Sequence, residues 1–174
     1  MWVKLNKGWV QNFFMNKAYI IFILFFCQSS FALSVACQFE EVYKNGDVQQ
    51  GIFLFNDGEL RYEYNRLDLY TLLYVNKKLF IINNSERSKA QLLENQNNLV
   101  PLIVDIYQDY PNFKKVYKKN QFNINIEKNS ENFIKRIYVN SNKINLSIYF
   151  INCQNKILDR KFFNFKPLFE YVFN

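Results

Sequence analysis

Few residues in this sequence are able to do chemistry. The 174-residue chain contains no histidine, which excludes Ser-His-Asp and Cys-His nucleophiles, histidine zinc sites and imidazole proton shuttles. The carboxylates nearest to a functional pair are Glu40 beside Glu41, and Glu63 two residues after Arg61. Because strand neighbours point to opposite faces, we expect Glu40 and Glu41 to diverge. Arg61 and Glu63 should share a face and form a surface ion pair worth at most about 1 kcal/mol.

No catalytic or cofactor motif accompanies these carboxylates. The sequence contains no G-x-S-x-G, P-loop or dinucleotide-binding pattern, and no cysteine pair at metal-ligand spacing. Two carboxylates can hydrolyse a glycoside without histidine, but nothing in the spacing selects such a pair. We therefore predict a protein that is not an enzyme, with no catalytic residue, cofactor or metal.

Residues 1–32 have the pattern of a secretory signal peptide. They carry Lys4, Lys7 and Lys17 and no acidic residue, followed by an apolar run over 18–27 and small residues before Leu33. The run is shorter than the roughly 20 residues of a membrane span, although an uncleaved anchor remains an alternative. The pattern predicts export to the periplasm.

Cleavage after residue 32 leaves one domain, 33–174. A start at Met15 would give a leader of ordinary length, so 1–14 are either an extended n-region or precede the true start. The leader contains three of the 22 basic and none of the 15 acidic residues, which leaves a net charge of +4. That charge does not indicate a nucleic-acid partner, and we expect the lysine cluster at 114–119 to be a solvated strand or turn.

Cys37 and Cys153 form an even pair in an exported chain, so a disulfide is the default expectation. Closing the loop of about 115 residues between them would stabilise the fold by roughly 4 kcal/mol. Two alternatives stay open. The stretch 33–37, LSVAC, resembles a lipobox, which would make Cys37 an acylated N-terminus, or both cysteines could be free thiols.

Short alternating strands separated by turn signals fill most of the remaining chain. Turn residues at Asn45-Gly46, Asn56-Asp57-Gly58 and Asn76-Lys77 predict hairpins. The expected strands are Gln38–Tyr43, Gln49–Phe55, Leu60–Tyr64, Tyr70–Val75, Leu79–Ile82, Phe122–Ile126, Phe133–Val139 and Ile144–Ile148.

One helix is predicted over Leu99–Gln108, with Asn98 as its N-cap and an apolar face that includes Leu102 and Ile106. A second helical turn is possible at Ala90–Glu94. The fold class is therefore mostly β with one or two short helices. We expect a single antiparallel sheet, strongly curved or nearly closed, with the helix on its apolar side.

The strands carry more apolar side chains than one buried face of the sheet would use. Residues 52–55 and 72–75 are apolar on both sides of their strands. Such surface must be covered by a helix, a ligand, a partner chain or a membrane.

Three stretches resemble the LolA-like periplasmic carriers of outer-membrane lipoproteins. They are QQGIFLFNDGELRYEY (Gln49–Tyr64), LYTLLYVNKKLFIIN (Leu69–Asn83) and FFNFKPLFEYVF (Phe162–Phe173), the last matching closing strands. The sequence has Asn56-Asp57 where that family has an Arg-Pro pair, and Arg61 matches a later position of the family pattern.

The resemblance implies a half-open, eleven-stranded barrel lidded by helix. A monomeric carrier of this kind would receive lipoprotein acyl chains from an inner-membrane transporter and pass them to an outer-membrane acceptor. Burial alone would hold the cargo, at about 0.8 kcal/mol per methylene.

On this interpretation the lipid would lie on one alternating apolar face, beneath Leu102 and Ile106 of the lid. The alternative is a non-enzymatic structural or interaction protein of the envelope, anchored through Cys37 if that residue is lipidated. The expected lipid-binding residues are Leu60, Tyr62, Tyr64, Phe122, Ile124, Ile126, Ile144, Leu146 and Ile148.

Overall fold

The structure is a computed structural model that describes residues 34–94 and 99–168. The predictions of a signal peptide over 1–32, a start at Met15 and a cap at Asn98 lie outside the described residues. Within these two ranges, no helix has both the length and the apolar character needed to cross a membrane.

Ten strands and one helix make up most of the described chain. The strands are β1 (Ser34–Tyr43), β2 (Val48–Asn56), β3 (Glu59–Tyr64), β4 (Tyr70–Val75), β5 (Lys78–Asn83), β6 (Ala90–Leu93), β7 (Val116–Lys119), β8 (Phe122–Lys128), β9 (Ile134–Asn140) and β10 (Asn145–Asn155). Helix α1 (Leu99–Gln108) comes between β6 and β7, and a 3-10 turn (Arg160–Phe162) follows β10.

All ten strands belong to one antiparallel sheet in the order β6-β5-β4-β3-β2-β1-β10-β9-β8-β7. The first and last strands pair at its centre, and β6 and β7 form its two edges. The sheet is not closed, but it is curved, because Leu93 of β6 and Lys119 of β7 line one common cleft. The predicted single curved antiparallel sheet is therefore confirmed.

Local sequence explains the tight hairpins. Asp57 and Gly58 have φ of 46° and 80°, and Asn76 and Lys77 have φ of 51° and 60°, as two-residue type I′ turns require. The first hairpin differs from the expected Asn-Gly turn, because only Gly46 of that pair has a positive φ (89°). The amide of Tyr43 donates to the carbonyl of Asp47 at 3.0 Å, which closes a longer loop.

The inner face of the sheet is covered by α1, and the outer face is covered over the half formed by β1–β5. The inner face is the one on which Phe39, Phe53 and Ile124 lie, in one apolar cluster with α1. The outer face is the one on which Leu54 and Leu73 lie, packed against Leu158, Phe163 and Leu168. We call residues 158–168 the C-terminal strap.

Two of the expected elements are wrong. Ala90–Leu93 is strand β6 rather than a helical turn, because its backbone pairs with β5 and this pairing outweighs a weak helical preference. The run expected to form closing strands from Phe162 onward is, over 162–168, a 3-10 turn and irregular chain. Its residues 169–173 are outside the described residues. The lysine cluster contributes β7, whose side chains are largely exposed, as expected.

Candidate functional site

The structure brings the expected lipid-binding residues together on the inner face. Eight of the nine are buried in the inner cluster, and Ile144, which lies just before β10, is half-buried against it. The period-two alternation therefore assigned each of these side chains to the correct face. The eight buried residues are Leu60, Tyr62, Tyr64, Phe122, Ile124, Ile126, Leu146 and Ile148.

Helix α1 covers this face and is apolar around most of its circumference. Leu102 and Ile106, the expected lid residues, are 4% and 0% exposed. Val100, Ile103, Val104 and Tyr107 are buried with them. A helix that is apolar on nearly all sides belongs in an interior rather than on a surface, so α1 lies within the curve of the sheet.

Aromatic side chains form the wall beneath the helix. Phe39 stacks on Tyr62 with ring centroids 3.8 Å apart, and Phe53 meets Tyr107 of α1 at 4.7 Å. Gly51 makes the Phe39 position possible, because a Cβ there would collide with the Phe39 ring and with the Glu63 carbonyl. Such pairs add about 0.5–1.5 kcal/mol each beyond the burial of their area.

Side-chain polar contacts tie α1 to one edge of the sheet. Lys119 of β7 pairs with Asp105 at 2.6 Å, with both side chains about half exposed (53% and 50%). Just beyond the helix, the Tyr117 hydroxyl donates to Asp109 at 2.9 Å. Exposed contacts of this kind contribute at most about 1 kcal/mol each, so apolar packing dominates the attachment of α1 to the inner face.

The cleft between the two edge strands lies beside α1. Its volume is about 730 Å³, and Tyr74, Leu79, Leu93 and Pro101 contribute apolar surface to it. Lys77, Lys78 and Lys119 lie among the lining residues, with Glu94 and Asp105 as the acidic ones. This cleft gives solvent access to the region where α1 meets the sheet.

A polar cluster lies at the end of the inner face nearest the β1–β2 turn. The Glu41 carboxylate, whose residue is 5% exposed, accepts hydrogen bonds from the hydroxyls of Tyr43 (2.6 Å), Tyr62 (2.8 Å) and Tyr64 (2.8 Å). Burial raises the pKa of Tyr62 and Tyr64, and the negative charge of Glu41 raises it further. These phenols therefore remain hydrogen-bond donors well into alkaline solution.

The divergence of Glu40 and Glu41 is confirmed, but sequence reasoning missed the role of Glu41. Glu40 lies on the outer face, where it accepts a hydrogen bond from Gln50 at 3.0 Å. A signal for Glu41 was present, because it continues the alternation of Phe39 and Tyr43 on the apolar face. A carboxylate in such a position must find donors when it is buried.

The expected surface pair of Arg61 and Glu63 is wrong, because both side chains are 0% exposed. Arg61 Nε donates to Glu63 at 2.6 Å, and Arg87 pairs with the other Glu63 oxygen at 2.6 Å. The Arg61 guanidinium also donates to the carbonyls of Phe162 (2.9 Å), Asn164 (2.6 Å) and Lys166. The C-terminal strap therefore buries the pair and is held by it.

Cys37 and Cys153 form a disulfide that joins β1 to β10. It lies at a register shift between these central strands, next to Ala36 and Gln38. The disulfide removes the alternative of two free thiols. It also leaves Cys37 without a thiol to acylate, so the lipid-anchor interpretation is not supported.

Among residues 34–94 and 99–168, no group of three or more Cys, Asp or Glu side chains is arranged to hold a metal ion. No protein-family model matches this sequence, and a search of curated proteins found no significant match.

Proposed function

We propose that this protein is a periplasmic carrier of the LolA-like kind, which shelters the acyl chains of lipoproteins on the inner face of its sheet. In this proposal it accepts cargo from an inner-membrane transporter and delivers it to an outer-membrane acceptor. The observation that carries the proposal is the nature of the cover on that face. Helix α1 fills the concavity through apolar contacts, and its side-chain polar ties to β7 are exposed.

An apolar cover can be replaced by another apolar occupant at small net cost. The six buried side chains of α1 contribute about 1.5–3 kcal/mol each, or about 9–18 kcal/mol together. An acyl chain of about 15 methylenes gains about 12 kcal/mol from the same burial. The two quantities are comparable, so an acyl chain could take the place of α1 at small net cost, with loss of the exposed pair between Asp105 and Lys119.

The cleft between the edge strands supports the same proposal. It opens beside Pro101 and Asp105 of α1, with Leu79 and Leu93 among its lining residues. A chain entering there would reach the inner face by displacing α1 from β7. Because β6 and β7 are not paired with each other, this displacement leaves the strand hydrogen bonds intact.

One observation favours a second function, that of a non-enzymatic structural or interaction protein. The inner face is already covered, and both Leu102 and Ile106 are buried against it. In a structural protein α1 would be a permanent part of the core. The two functions differ in whether α1 leaves.

Locking α1 in place distinguishes them. In a Cys27→Ser background, Asp105→Cys with Lys119→Cys allows a bifunctional maleimide to cross-link the helix to β7. The matched control is Glu86→Cys with Lys89→Cys, which replaces another exposed ion pair (2.7 Å) away from the helix. Binding of a fluorescent stearate to the purified exported protein is the measurement, with native mass spectrometry to detect co-purified lipid.

We expect the helix-locked protein to lose stearate affinity by at least tenfold, while the control cross-link leaves it unchanged. Equal binding by both cross-linked proteins would contradict the carrier. An unmodified protein that binds no stearate and carries no lipid would do the same, and would favour the structural function.

A further inference from the structure

The Glu41 cluster contains a buried negative charge for which the described chain supplies no cation. Glu41 takes part in none of the ion pairs found among residues 34–94 and 99–168, whereas the buried Glu63 has both Arg61 and Arg87. Burying a carboxylate costs several kcal/mol, and neutral donors offset only part of that cost. The three tyrosine hydroxyls satisfy its hydrogen bonds but leave its charge uncompensated.

A small pocket adjoins this cluster. It has a volume of about 180 Å³ and lies between the β1–β2 turn and the chain that joins β3 to β4. Its lining contains aromatic rings and hydrogen-bond acceptors, with one carboxylate and no basic side chain. The lining residues are Tyr43, Asn45, Asp47, Gln49, Tyr64, Leu69 and Tyr70.

Gln49, one of the lining residues, carries an acceptor that lacks a partner. Gln49 pairs with Glu41 across β1 and β2, and its Oε1 atom is buried with no hydrogen-bond partner. An unpartnered buried acceptor costs about 1–3 kcal/mol. A primary ammonium that reaches this atom would remove this cost, whereas tetramethylammonium has no N–H to donate.

These features together fit a cation. Cations are attracted to the faces of tyrosine rings within about 6 Å, and the rings of Tyr64 and Tyr70 meet edge to face at 5.2 Å in the pocket wall. The hydroxyls of Tyr43 and Tyr64 donate hydrogen bonds to the Glu41 carboxylate, which makes both rings richer in electrons. The volume lies below the range of about 300–1,000 Å³ of drug-sized sites, so it suits a small group.

We propose that this pocket binds an organic ammonium group, with Tyr43, Tyr64 and Tyr70 around the cation. Glu41, which accepts from the hydroxyls of Tyr43 and Tyr64, and Asp47 in the lining supply the opposite charge. The ammonium can belong to a free alkylamine or to an ethanolamine lipid headgroup. The pocket is separate from the cleft beside α1, so this proposal does not depend on acyl-chain transport.

Nuclear magnetic resonance of the ¹⁵N-labelled full chain tests it. The probes are tetramethylammonium chloride, n-butylammonium chloride and dihexanoyl phosphatidylethanolamine, with sodium chloride and tert-butanol as the ionic and neutral comparisons. We expect saturable shifts of the amides over 45–49 and 69–70 with the ammonium probes, and none with tert-butanol. Tighter binding of the lipid than of butylammonium would assign the headgroup as the source, and the reverse order the free amine.

Paired variants test whether ammonium binding depends on the Glu41 cluster. Glu41→Gln keeps the size of the side chain and removes its charge, so we expect affinity for tetramethylammonium to fall at least tenfold. Glu40→Gln, one residue away on the outer face, should bind as the unmodified protein does. If Glu41→Gln does not fold, Tyr70→Leu removes one half-buried ring of the pocket and should reduce affinity by a similar factor.

Absence of saturable shifts would overturn the proposal. So would shifts of equal size with tert-butanol, or equal affinity in the Glu41→Gln and Glu40→Gln proteins. None of these outcomes bears on stearate binding, so failure here is distinguishable from failure of the carrier function.

Discussion

The two faces of the sheet are covered in opposite ways. On the inner face, α1 is held by apolar packing, and its side-chain ion pair with β7 is exposed. On the outer face, the C-terminal strap is held by a buried guanidinium that donates to three of its backbone carbonyls. Apolar contacts are non-directional and tolerate exchange of the occupant, whereas hydrogen bonds to a buried charge fix both position and direction.

This difference indicates which cover can move. Removing α1 exposes apolar surface that another apolar molecule could cover. Removing the strap would leave Arg61 and Glu63, both 0% exposed, without the groups that bury and satisfy them. If the protein opens without unfolding, as the proposed carrier function requires, α1 is the cover that leaves and the strap is the cover that stays.

The largest effect is expected from Arg61→Met, which removes the charge that holds the strap. Breaking a buried ion pair from one side typically costs about 3–5 kcal/mol, and three strap carbonyls lose their donor as well. Chemical denaturation should show this loss, and trypsin should cleave after Arg160 and Lys161 in the folded protein. The matched control is Arg66→Met, whose pair with Asp68 has the same spacing but is 60% exposed at both residues, and it should leave the denaturation midpoint unchanged. Similar midpoints for the two variants would show that the strap is not fixed by Arg61.

Raising the pH to about 11 should lower the free energy of unfolding, by somewhat less than Arg61→Met does. Burial raises the pKa of Tyr62, Tyr64 and Tyr107 above the ordinary value near 10. The folded state therefore retains protons that the unfolded state releases, and stability falls as pH rises above 10. Each such tyrosine costs about 1.4 kcal/mol per pH unit in that window.

Denaturation at pH 9 and pH 11 measures this loss, with absorbance at 295 nm to follow ionisation. Tyr107→Phe removes one tyrosine from α1 and should reduce the loss between these pH values by about 1.4 kcal/mol. A pH dependence that is the same in Tyr107→Phe and in the unmodified protein would place the effect elsewhere.

The smallest change in stability is expected from Asp105→Asn, which removes the ion pair between α1 and Lys119. An exposed pair is worth at most about 1 kcal/mol, so the free energy of unfolding should hardly change. Amide hydrogen exchange within α1 should nevertheless accelerate, because this contact ties the helix to β7. Glu86→Gln, which removes the exposed pair with Lys89, should leave exchange in α1 unaffected. Unchanged exchange in Asp105→Asn would mean that apolar packing alone governs release of the helix.

Much of the inner face could be predicted because its signal is local. Alternation assigned Tyr62, Ile124 and Leu146 to one face, and helical spacing gave α1 with its observed bounds, Leu99–Gln108. These patterns record burial that each element needs wherever its partner lies. They do not show which element covers the apolar side chains. The sequence therefore could not show that the C-terminal strap covers the outer-face residues of 52–55.

The buried polar groups could not be predicted for the same reason. Arg61 donates to the carbonyl of Asn164, 103 residues further along the chain. No local sequence pattern predicts a contact over that separation. Glu41 meets the Tyr62 hydroxyl across an intervening strand, 21 residues away. The alternation along each strand assigned these side chains to a face. Their hydrogen-bond partners and the segments that bury them depend on long-range packing.

The order of the strands in the sheet has a consequence for folding. The hairpins from β1 to β6 and from β7 to β10 join neighbours in sequence, whereas the pairing of β1 with β10 brings Val35 opposite Asn155. Pairings between distant parts of a chain form slowly, because closing the loop between them costs entropy. The central pairing is therefore expected last, and until it forms β10 ends one half-sheet with an unpaired edge that can add a strand of another molecule. The two central strands of the native sheet are thus the ones whose edges are open to aggregation before folding is complete.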